Sequence, residues 1–177
     1  MYKIEFKKLE ENDMPLMYKW LTTDFVHQWY CKNKNWTQDT INEKYLPQVR
    51  GETPISSYTI ICNNDKIGYI QTYKTADYPE YNECLNTGYK TAGIDLFIGK
   101  KDYLHKGLGK LILKQFLKDY VFKLYDISHC TIGPEPDNKS AIAAYKKAGF
   151  KYLKTVTIPK KNEEECILII SKEDAYI

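Results

Sequence analysis

A strand, a short loop and a glycine-spaced turn that opens a helix are encoded in residues 93–110, which read GIDLFIGKKDYLHKGLGK. Gly107 and Gly109 flank Leu108 just ahead of apolar positions at helical spacing, namely Leu111, Ile112, Phe116 and Leu117. The backbone N–H groups of residues 106–110 are therefore expected to point out of a helix N-terminus, where they have no intrahelical partners. Because such an end attracts anions, the stretch predicts a phosphate-binding turn after a strand that carries one acid, Asp95.

Two common phosphate loops do not match these residues. A Walker-type loop needs Gly-Lys followed by Ser or Thr, and here Leu111 follows Lys110. A dinucleotide-binding fingerprint needs a third glycine where this chain has Ile112. Taken alone, the Gly-x-Gly turn is a weak signal, and an ordinary strand-to-helix connection is the simpler interpretation.

The composition is typical of one globular domain, and we expect residues 1–177 to form a single domain. Of the 177 residues, 43% are hydrophobic, which is enough for one substantial core. The formal charge of +3 comes from dispersed lysines, with Arg50 as the only arginine, so nucleic acid is not an expected partner. No apolar run approaches the roughly 20 residues that span a bilayer, and the N-terminus does not resemble a signal peptide. We therefore expect a cytoplasmic protein that does not bind membranes.

The cysteines and histidines do not form a recognisable metal or disulfide pattern. The five cysteines are an odd number without a Cys-x-x-Cys pair, and the three histidines are equally dispersed. The sequence therefore predicts neither a metal site nor a disulfide framework. It does not decide between a monomer and a homodimer.

Hydrophobic periodicity gives the order of elements along the chain, which is β, helices, β, β, β, α, β, α, β, β. The predicted strands are Ile4–Leu9, Ser57–Cys62, Lys66–Lys74, Gly93–Ile98, Ile127–Ile132, Phe150–Thr157 and Glu165–Ser171. The first predicted helix is capped by Asn12 or Asp13, a second short one starts at Asp24, and a third is capped by Thr37 and ends near Tyr45-Leu46-Pro47. Two later helices are predicted, one from about Gly107 to Tyr120 and one capped by Asp137 or Asn138. Asn63-Asn64-Asp65 predicts a hairpin turn, Thr75–Thr91 is interpreted as a long loop, and Lys160, Lys161 and Asn162 are interpreted as a turn. Strands that alternate with helices in the second half predict an α/β fold, a mixed sheet with helices on both faces.

This order, together with Asn138-x-x-Ala141-x-x-x-Tyr145-x-Lys147-x-Gly149-Phe150, resembles the GNAT superfamily of acetyl-CoA-dependent N-acetyltransferases. The resemblance implies a mostly antiparallel, twisted sheet that splays between its fourth and fifth strands, with acetyl-CoA as co-substrate. The residues implied to bind the coenzyme are Leu96, Phe97, Ile98, His105, Lys106, Gly107, Leu108, Gly109, Lys110, Asn138, Ala141 and Tyr145. One departure is Leu104, which stands where the superfamily usually has Gln or Arg.

A closer likeness, to the aminoglycoside 6'-N-acetyltransferases, spans most of the chain. The shared segments are Trp29-Tyr30, Tyr45-Leu46-Pro47, 67–73, 93–95 and 106–109. The likeness implies transfer of an acetyl group to the 6'-amine of an aminoglycoside, which gives drug resistance. That family commonly has Asp-Pro after the fifth strand, and its Asp contributes to the antibiotic site. This chain has Gly133-Pro134 there, with Glu135 and Asp137 as the nearby acids.

Acetyl transfer to an amine needs a group that removes a proton and a group that returns one. Amines of this kind are mostly protonated near neutral pH, so Asp95 is the candidate that accepts the proton and holds the ammonium beforehand. An ordinary carboxylate is a weak base, so anchoring the amine is expected to be its larger contribution, and a purely structural acid is the alternative. Backbone N–H groups near Phe97 and Ile98 are candidates to stabilise the thioester oxygen. By resemblance, Tyr145 is the acid that protonates the leaving thiolate, and simple packing of its ring is the alternative.

A polycationic acceptor requires a negative cleft in a slightly basic protein. Several acids and aromatic residues are expected to converge on its mouth. The candidate substrate-binding residues are Trp29, Tyr30, Tyr73, Asp77, Glu80, Glu83, Asp95, Glu135 and Asp137, with Glu165 of the last hairpin as a further candidate.

Three functions remain open at this point. The first is an aminoglycoside 6'-N-acetyltransferase. The second is a GNAT enzyme that acts on another amine, such as a polyamine, a small metabolite or a peptide N-terminus, and Gly133 is the residue that favours it. The third is a non-catalytic acyl-CoA-binding module, against which Asp95 and Tyr145 argue.

Overall fold

Runs of β-branched and aromatic residues form the predicted sheet. The computed structural model describes residues 2–32, 34–158 and 163–177. Within those ranges it has seven strands, which are β1 Ile4–Lys8, β2 Ser56–Cys62, β3 Asp65–Lys74, β4 Thr91–Ile98, β5 His129–Ile132, β6 Lys151–Ile158 and β7 Glu163–Ser171. They join in one sheet in the order β1-β2-β3-β4-β5-β7-β6. The predicted mixed α/β fold is confirmed.

The sheet is mixed because one of its pairings is parallel. β4 and β5 run parallel, as expected for strands that are connected through a helix, whereas β1–β2, β5–β7 and β6–β7 are antiparallel. The register of β4 with β5 runs from Thr91–His129 to Gly93–Thr131, and β4 continues to Ile98. The paired part of β4 is therefore shorter than the strand.

The helices are short, and several begin at the residues that the sequence predicts. They are α1 Met14–Leu21, α2 Asp24–His27, α3 Gln38–Val49, α4 Pro79–Leu85, α5 Leu108–Phe116, α6 Phe122–Leu124, α7 Lys139–Lys147 and α8 Lys172–Ala175. The Thr37 hydroxyl accepts a hydrogen bond from the Thr40 N–H (3.2 Å) and caps α3, and Asn138 caps α7 in the same way. The predicted cap Thr37 is confirmed, and Asn138 is the cap of α7 out of the two candidates Asp137 and Asn138.

Three predictions about local structure are wrong or incomplete. Residues 75–91 are not a structureless loop, because Thr75–Asp77 forms a 3₁₀ turn and Pro79 begins α4 at a first-turn position that suits proline. α3 continues through Pro47 to Val49 instead of ending there. The helix after Gly107 is regular only to Phe116 and then widens into a π turn over Leu117–Val121. The predicted turn with Lys160, Lys161 and Asn162 lies outside the described residues.

The chain packs as two compact units, and whether they form the single predicted domain stays a prediction. The first unit contains the residues up to Gln71 together with Leu96–Lys106. Its core is aromatic: the ring of Tyr69 stacks on Phe97 at 5.6 Å and meets the edge of Tyr45 at 5.4 Å. The Tyr69 hydroxyl also lies in a buried polar network with Gln48 (2.9 Å) and Ser57 (3.0 Å). Hydrogen bonding of these buried polar groups offsets the cost of removing them from water.

The second unit contains Thr72–Asp95 and Gly107–Ile177. The apolar stripe of α5 is buried in it, with Leu108, Ile112, Leu113 and Phe116 facing inward. A Cβ built on Gly109 would lie 3.5 Å from the Cβ of Ala144, so α5 and α7 approach closely at this point. Packing of these two helices places the start of α5 beside α7.

Candidate active site

Asp95 lies on β4 at the point where the strand leaves its partner. It follows the last residue of β4 that pairs with β5, Gly93, by two positions, and its side chain is partly buried. Because strand residues alternate between faces, Asp95 shares a face with Gly93, while Ile94 between them is buried in the core. The strand thus places one carboxylate just beyond the parallel ladder.

The negative charge of Asp95 helps to raise the pKa of four phenols and one thiol. Burial raises the pKa of Tyr73, Tyr81 and Cys130 well above their ordinary values, and the negative charge of Asp95 raises each of these pKa values further. The pKa of Tyr145 is raised by the same two causes, and that of Tyr78 by burial, Asp77 and Asp95. These groups therefore keep their protons near neutral pH and can donate hydrogen bonds toward a bound molecule.

Contacts with β4, the strand that carries Asp95, hold Tyr73 in place. A Cβ built on Gly93 would lie 2.5 Å from ring atom Cζ of Tyr73, so the ring lies directly against the glycine. The Thr72 hydroxyl donates to the carbonyl of Gly93 (2.9 Å), and the rings of Tyr73 and Tyr78 meet edge to face at 5.1 Å. The absence of a side chain at position 93 lets Tyr73 occupy this position.

Tyr145 lies on α7, one helical turn after Ala141. The Asn138 carboxamide accepts a hydrogen bond from the Ala141 N–H (3.1 Å), which fixes the first turn. Tyr145 follows Ala141 by four residues and so lies on the same helix face. Its ring centroid is 6.5 Å from that of Phe150, so part of the ring packs in the core while the hydroxyl keeps its proton.

Glu165 on β7 is a carboxylate with only a weak sequence signal. Its Oε2 atom accepts a hydrogen bond of 3.0 Å from the Tyr81 hydroxyl, and its charge raises the pKa of both Tyr81 and Tyr73. A Cβ built on Gly133 would lie only 2.5 Å from the same Oε2 atom. The signal that could have drawn attention to Glu165 is the missing side chain at Gly133.

The other predicted acids are more exposed and are spread over two segments. Asp77 lies 3.7 Å from the Lys74 ammonium, and Glu80 and Glu83 are exposed residues of α4. Glu135 is partly buried in the connection between β5 and α7, and Asp137 is exposed there. Their roles in substrate binding stay predictions.

The predicted phosphate turn has a backbone that suits an anion. Gly107, which directly precedes α5, has a left-handed backbone (φ 74°), and so does His105 (φ 59°). Leu108 is buried, whereas the side chains of Lys106 and Lys110 are exposed. The first N–H groups of α5 have no partners within the helix, so they are suited to bind a pyrophosphate.

The remaining predicted residues belong to the first unit. Trp29 is exposed, and Tyr30 is partly buried, with its ring 4.9 Å from that of Phe97. The Phe97 side chain is itself in the aromatic core, while Leu96 and Ile98 are partly buried. At Phe97, only the backbone is therefore suited to contact a coenzyme.

No group of three His, Cys, Asp or Glu residues among 2–32, 34–158 and 163–177 is arranged to hold a metal ion. In the same ranges, no helix has both the length and the apolar character needed to cross a bilayer. The five cysteines are free thiols.

Comparison with known proteins identifies a family for this chain. A family model described as "Acetyltransferase (GNAT) domain" matches residues 10–158. The aminoglycoside N(6')-acetyltransferase type 1 of Klebsiella pneumoniae is 28% identical over 159 residues, which cover 88% of this chain and 78% of the relative. A kanamycin resistance protein of Rhizobium radiobacter is 36% identical over 67 residues, or 38% of this chain and 61% of that protein.

Solved structures match over nearly the whole length. The crystal structure of aminoglycoside acetyltransferase AAC(6')-Ib with coenzyme A has a TM-score of 0.85 at 25% identity, and it covers 97% of this chain and 96% of its own. The complex of that enzyme with coenzyme A and kanamycin has a TM-score of 0.84, with the same identity and coverage. Since the family match covers most of the chain, the protein belongs to the GNAT acetyltransferase family and is an acyltransferase.

Proposed function

We propose that this acetyltransferase moves the acetyl group of acetyl-CoA to the 6'-amine of aminoglycoside antibiotics and thereby gives drug resistance. The observation that carries the proposal is the position of Asp95, just past the parallel ladder and among phenols that keep their protons. Relatives whose names state this activity and structures with coenzyme A and kanamycin support it. The coenzyme contacts predicted for the chain are part of the proposal.

The proposed reaction needs one proton acceptor and one proton donor. Asp95 binds the 6'-ammonium and takes its proton, directly or through water, so that the neutral amine attacks the thioester carbonyl. The new C–N bond forms, the nitrogen releases its second proton to solvent, the C–S bond breaks, and the electron pair of that bond leaves on the sulfur of coenzyme A. Tyr145, which is protonated near neutral pH, gives its proton to this thiolate and recovers one from solvent.

The acceptor site in this proposal is polar and negatively charged. Asp95 and Glu165 supply the carboxylates, and the hydroxyls of Tyr73 and Tyr81 supply neutral donors beside them. Amino sugars present ammonium and hydroxyl groups together, so a mixture of carboxylates and phenols matches their surface. Trp29, Tyr30 and the acids Asp77, Glu80, Glu83, Glu135 and Asp137 are retained as further candidates.

A second candidate function is acetylation of another polycationic amine. It is favoured by Gly133, because the acid that the aminoglycoside enzymes commonly carry after the fifth strand is absent here. Under this alternative the chemistry at Asp95 and Tyr145 is the same and only the acceptor differs.

A thiol-release assay with acetyl-CoA separates the candidates. Kanamycin-type drugs with a 6'-amine, linear polyamines and peptides are supplied as acceptors at equal concentration. The proposal expects turnover with the 6'-amino drugs, and mass spectrometry should show a single added acetyl group. Turnover with polyamines alone would favour the second candidate, and binding of acetyl-CoA without any transfer would indicate a non-catalytic module.

A further inference from the structure

The carboxylate of Glu165 lies where a side chain at position 133 would begin. Gly133 follows β5 directly, and a Cβ there would approach Glu165 Oε2 to 2.5 Å and Cδ to 3.2 Å. These distances are below ordinary van der Waals contact, so the carboxylate of Glu165 fills the space in which a side chain at position 133 would begin. Glycine at position 133 thus leaves this space to the carboxylate from β7.

The backbone and one phenol hold Glu165 in that position. β7 pairs with β6 at Glu165–Val156, and the Cys166 N–H donates to the carbonyl of Pro134 (2.8 Å), which fixes the strand beside residues 133–134. The Tyr81 hydroxyl of α4 donates to the Oε2 atom that lies over Gly133 (3.0 Å). The carboxylate is thus positioned by three elements of the same unit.

Asp95 and Glu165 act on the same phenols. The Tyr81 hydroxyl donates to Glu165 (3.0 Å), and the Tyr73 ring lies against Gly93, which shares a strand face with Asp95. In agreement with these contacts, both negative charges raise the pKa of Tyr73 and of Tyr81. Two like charges that share a partly buried environment repel each other, and cations bound near them remove that repulsion. An acceptor with two ammonium groups can place one at Asp95 and the other at Glu165.

We propose that Glu165 binds a second ammonium group of a polycationic acceptor, next to the amine that reacts at Asp95. The inference rests on the proposed acetyl transfer, and it names the class of acceptor as an amine with at least two ammonium groups. Glu165 is then a specificity residue that takes no part in proton transfer.

The test compares Glu165→Gln with the matched control Glu164→Gln. Glu164 is the exposed neighbour on the other face of β7, so its change removes the same charge from the same strand. The acceptors are kanamycin, with several amines, and 6-amino-6-deoxyglucose, with one. Steady-state kinetics give KM and kcat for each acceptor and KM for acetyl-CoA, and thermal unfolding checks that the variants fold.

Loss of a charge-assisted contact predicts that Glu165→Gln raises KM for kanamycin about tenfold or more. The value of kcat, KM for acetyl-CoA and KM for the monoamine should stay near those of the unchanged protein, and Glu164→Gln should resemble that protein throughout. An unchanged KM for kanamycin, or an equal rise for both acceptors, would overturn the proposal.

A swap variant keeps the test valid if the single change alters folding. Gly133→Asp combined with Glu165→Ala moves the carboxylate from β7 to the end of β5, and it should recover most of the affinity that Glu165→Ala loses. A folded swap variant with no recovery would contradict the placement of the second ammonium.

Calorimetric titration of kanamycin and spermidine into the protein with coenzyme A separates this inference from the proposed function. If kanamycin is not acetylated, the proposed function fails, yet weaker polyamine binding by Glu165→Gln would still support the inference. Equal binding of polyamines to both proteins, or binding to neither, would refute it.

Discussion

The ring of Tyr73 lies against the backbone of Gly93, so closely that a Cβ on the glycine would come within 2.5 Å of ring atom Cζ. This relationship connects the end of β3 to β4 two residues before Asp95. It couples the position of a phenol in the candidate site to the smallest residue of the strand that carries the candidate base. Changes at Gly93 should therefore affect both stability and catalysis.

Gly93→Ala should destabilise the protein by about 1–3 kcal/mol, because the added methyl group must displace the Tyr73 ring or the strand. It should also lower kcat, since the displaced ring lies next to the reacting groups. Chemical denaturation and steady-state kinetics check both effects. Gly88→Ala is the control: its Cβ would meet nothing within 4 Å, and the cost there comes from the left-handed backbone (φ 73°) alone. A Gly93→Ala protein with unchanged stability and kcat would show that the ring is not held as described.

Asp95→Asn should lower kcat by about 100-fold or more, because the amide can neither accept the proton nor hold the ammonium by charge. The affinity for acetyl-CoA, measured by calorimetry, and the circular dichroism spectrum should not change. Near-normal turnover by the folded variant would remove Asp95 from the reaction.

Tyr145→Phe should lower kcat by at least about tenfold if the hydroxyl protonates the thiolate. The ring contact with Phe150 is preserved in this variant, so stability should change little. Pre-steady-state measurement of thiol release with the variant and the unchanged protein checks the prediction. A rate reduced no more than a fewfold would mean that the ring serves packing alone.

The raised pKa of Tyr73 predicts how stability depends on pH. A phenol whose pKa is higher in the folded than in the unfolded protein stabilises the fold fully below the unfolded pKa, near pH 10. That stabilisation is lost as the pH rises toward the folded pKa, because the unfolded chain releases a proton that the folded chain keeps. Tyr73→Phe should therefore make the fall in unfolding free energy above about pH 10 shallower, by up to about 1.4 kcal/mol per pH unit.

Urea denaturation at closely spaced pH values measures this slope. Tyr152→Phe, which removes a phenol at an exposed position, is the matched control for the loss of a hydroxyl group. Identical slopes for Tyr73→Phe and the unchanged protein would contradict the burial of Tyr73 next to Asp95.

Much of the fold could be predicted because its signals are local. The hairpin turn at Asn63 and Asn64 needs left-handed backbone, which asparagine tolerates, and both residues adopt it (φ 50° and 69°). The caps at Thr37 and Asn138 depend only on the residues three positions ahead. For the same reason, the turn at Gly107 was visible before the structure.

Features that depend on contacts between distant residues could not be predicted in the same way. The residues of α4 show little apolar periodicity, so their sequence predicts a loop. One contact that orders the helix is the hydrogen bond from Tyr81 to Glu165, which is 84 residues away. Glu165 itself gives no local signal, since a glutamate on a hairpin strand is ordinarily a solvated charge. Its role depends on the three-dimensional contact in which its carboxylate fills the space over Gly133.

A matched pair of aminoglycosides tests most directly whether the 6'-amine is the acceptor. The two drugs should differ only at the 6' position, with an amine in one and a hydroxyl in the other, and coenzyme A release from acetyl-CoA is measured with each. The proposed function predicts turnover with the 6'-amino drug and a product acetylated on the 6'-nitrogen. It predicts no turnover above background with the 6'-hydroxyl drug. Equal rates for the two drugs, or acetylation at another nitrogen, would contradict it.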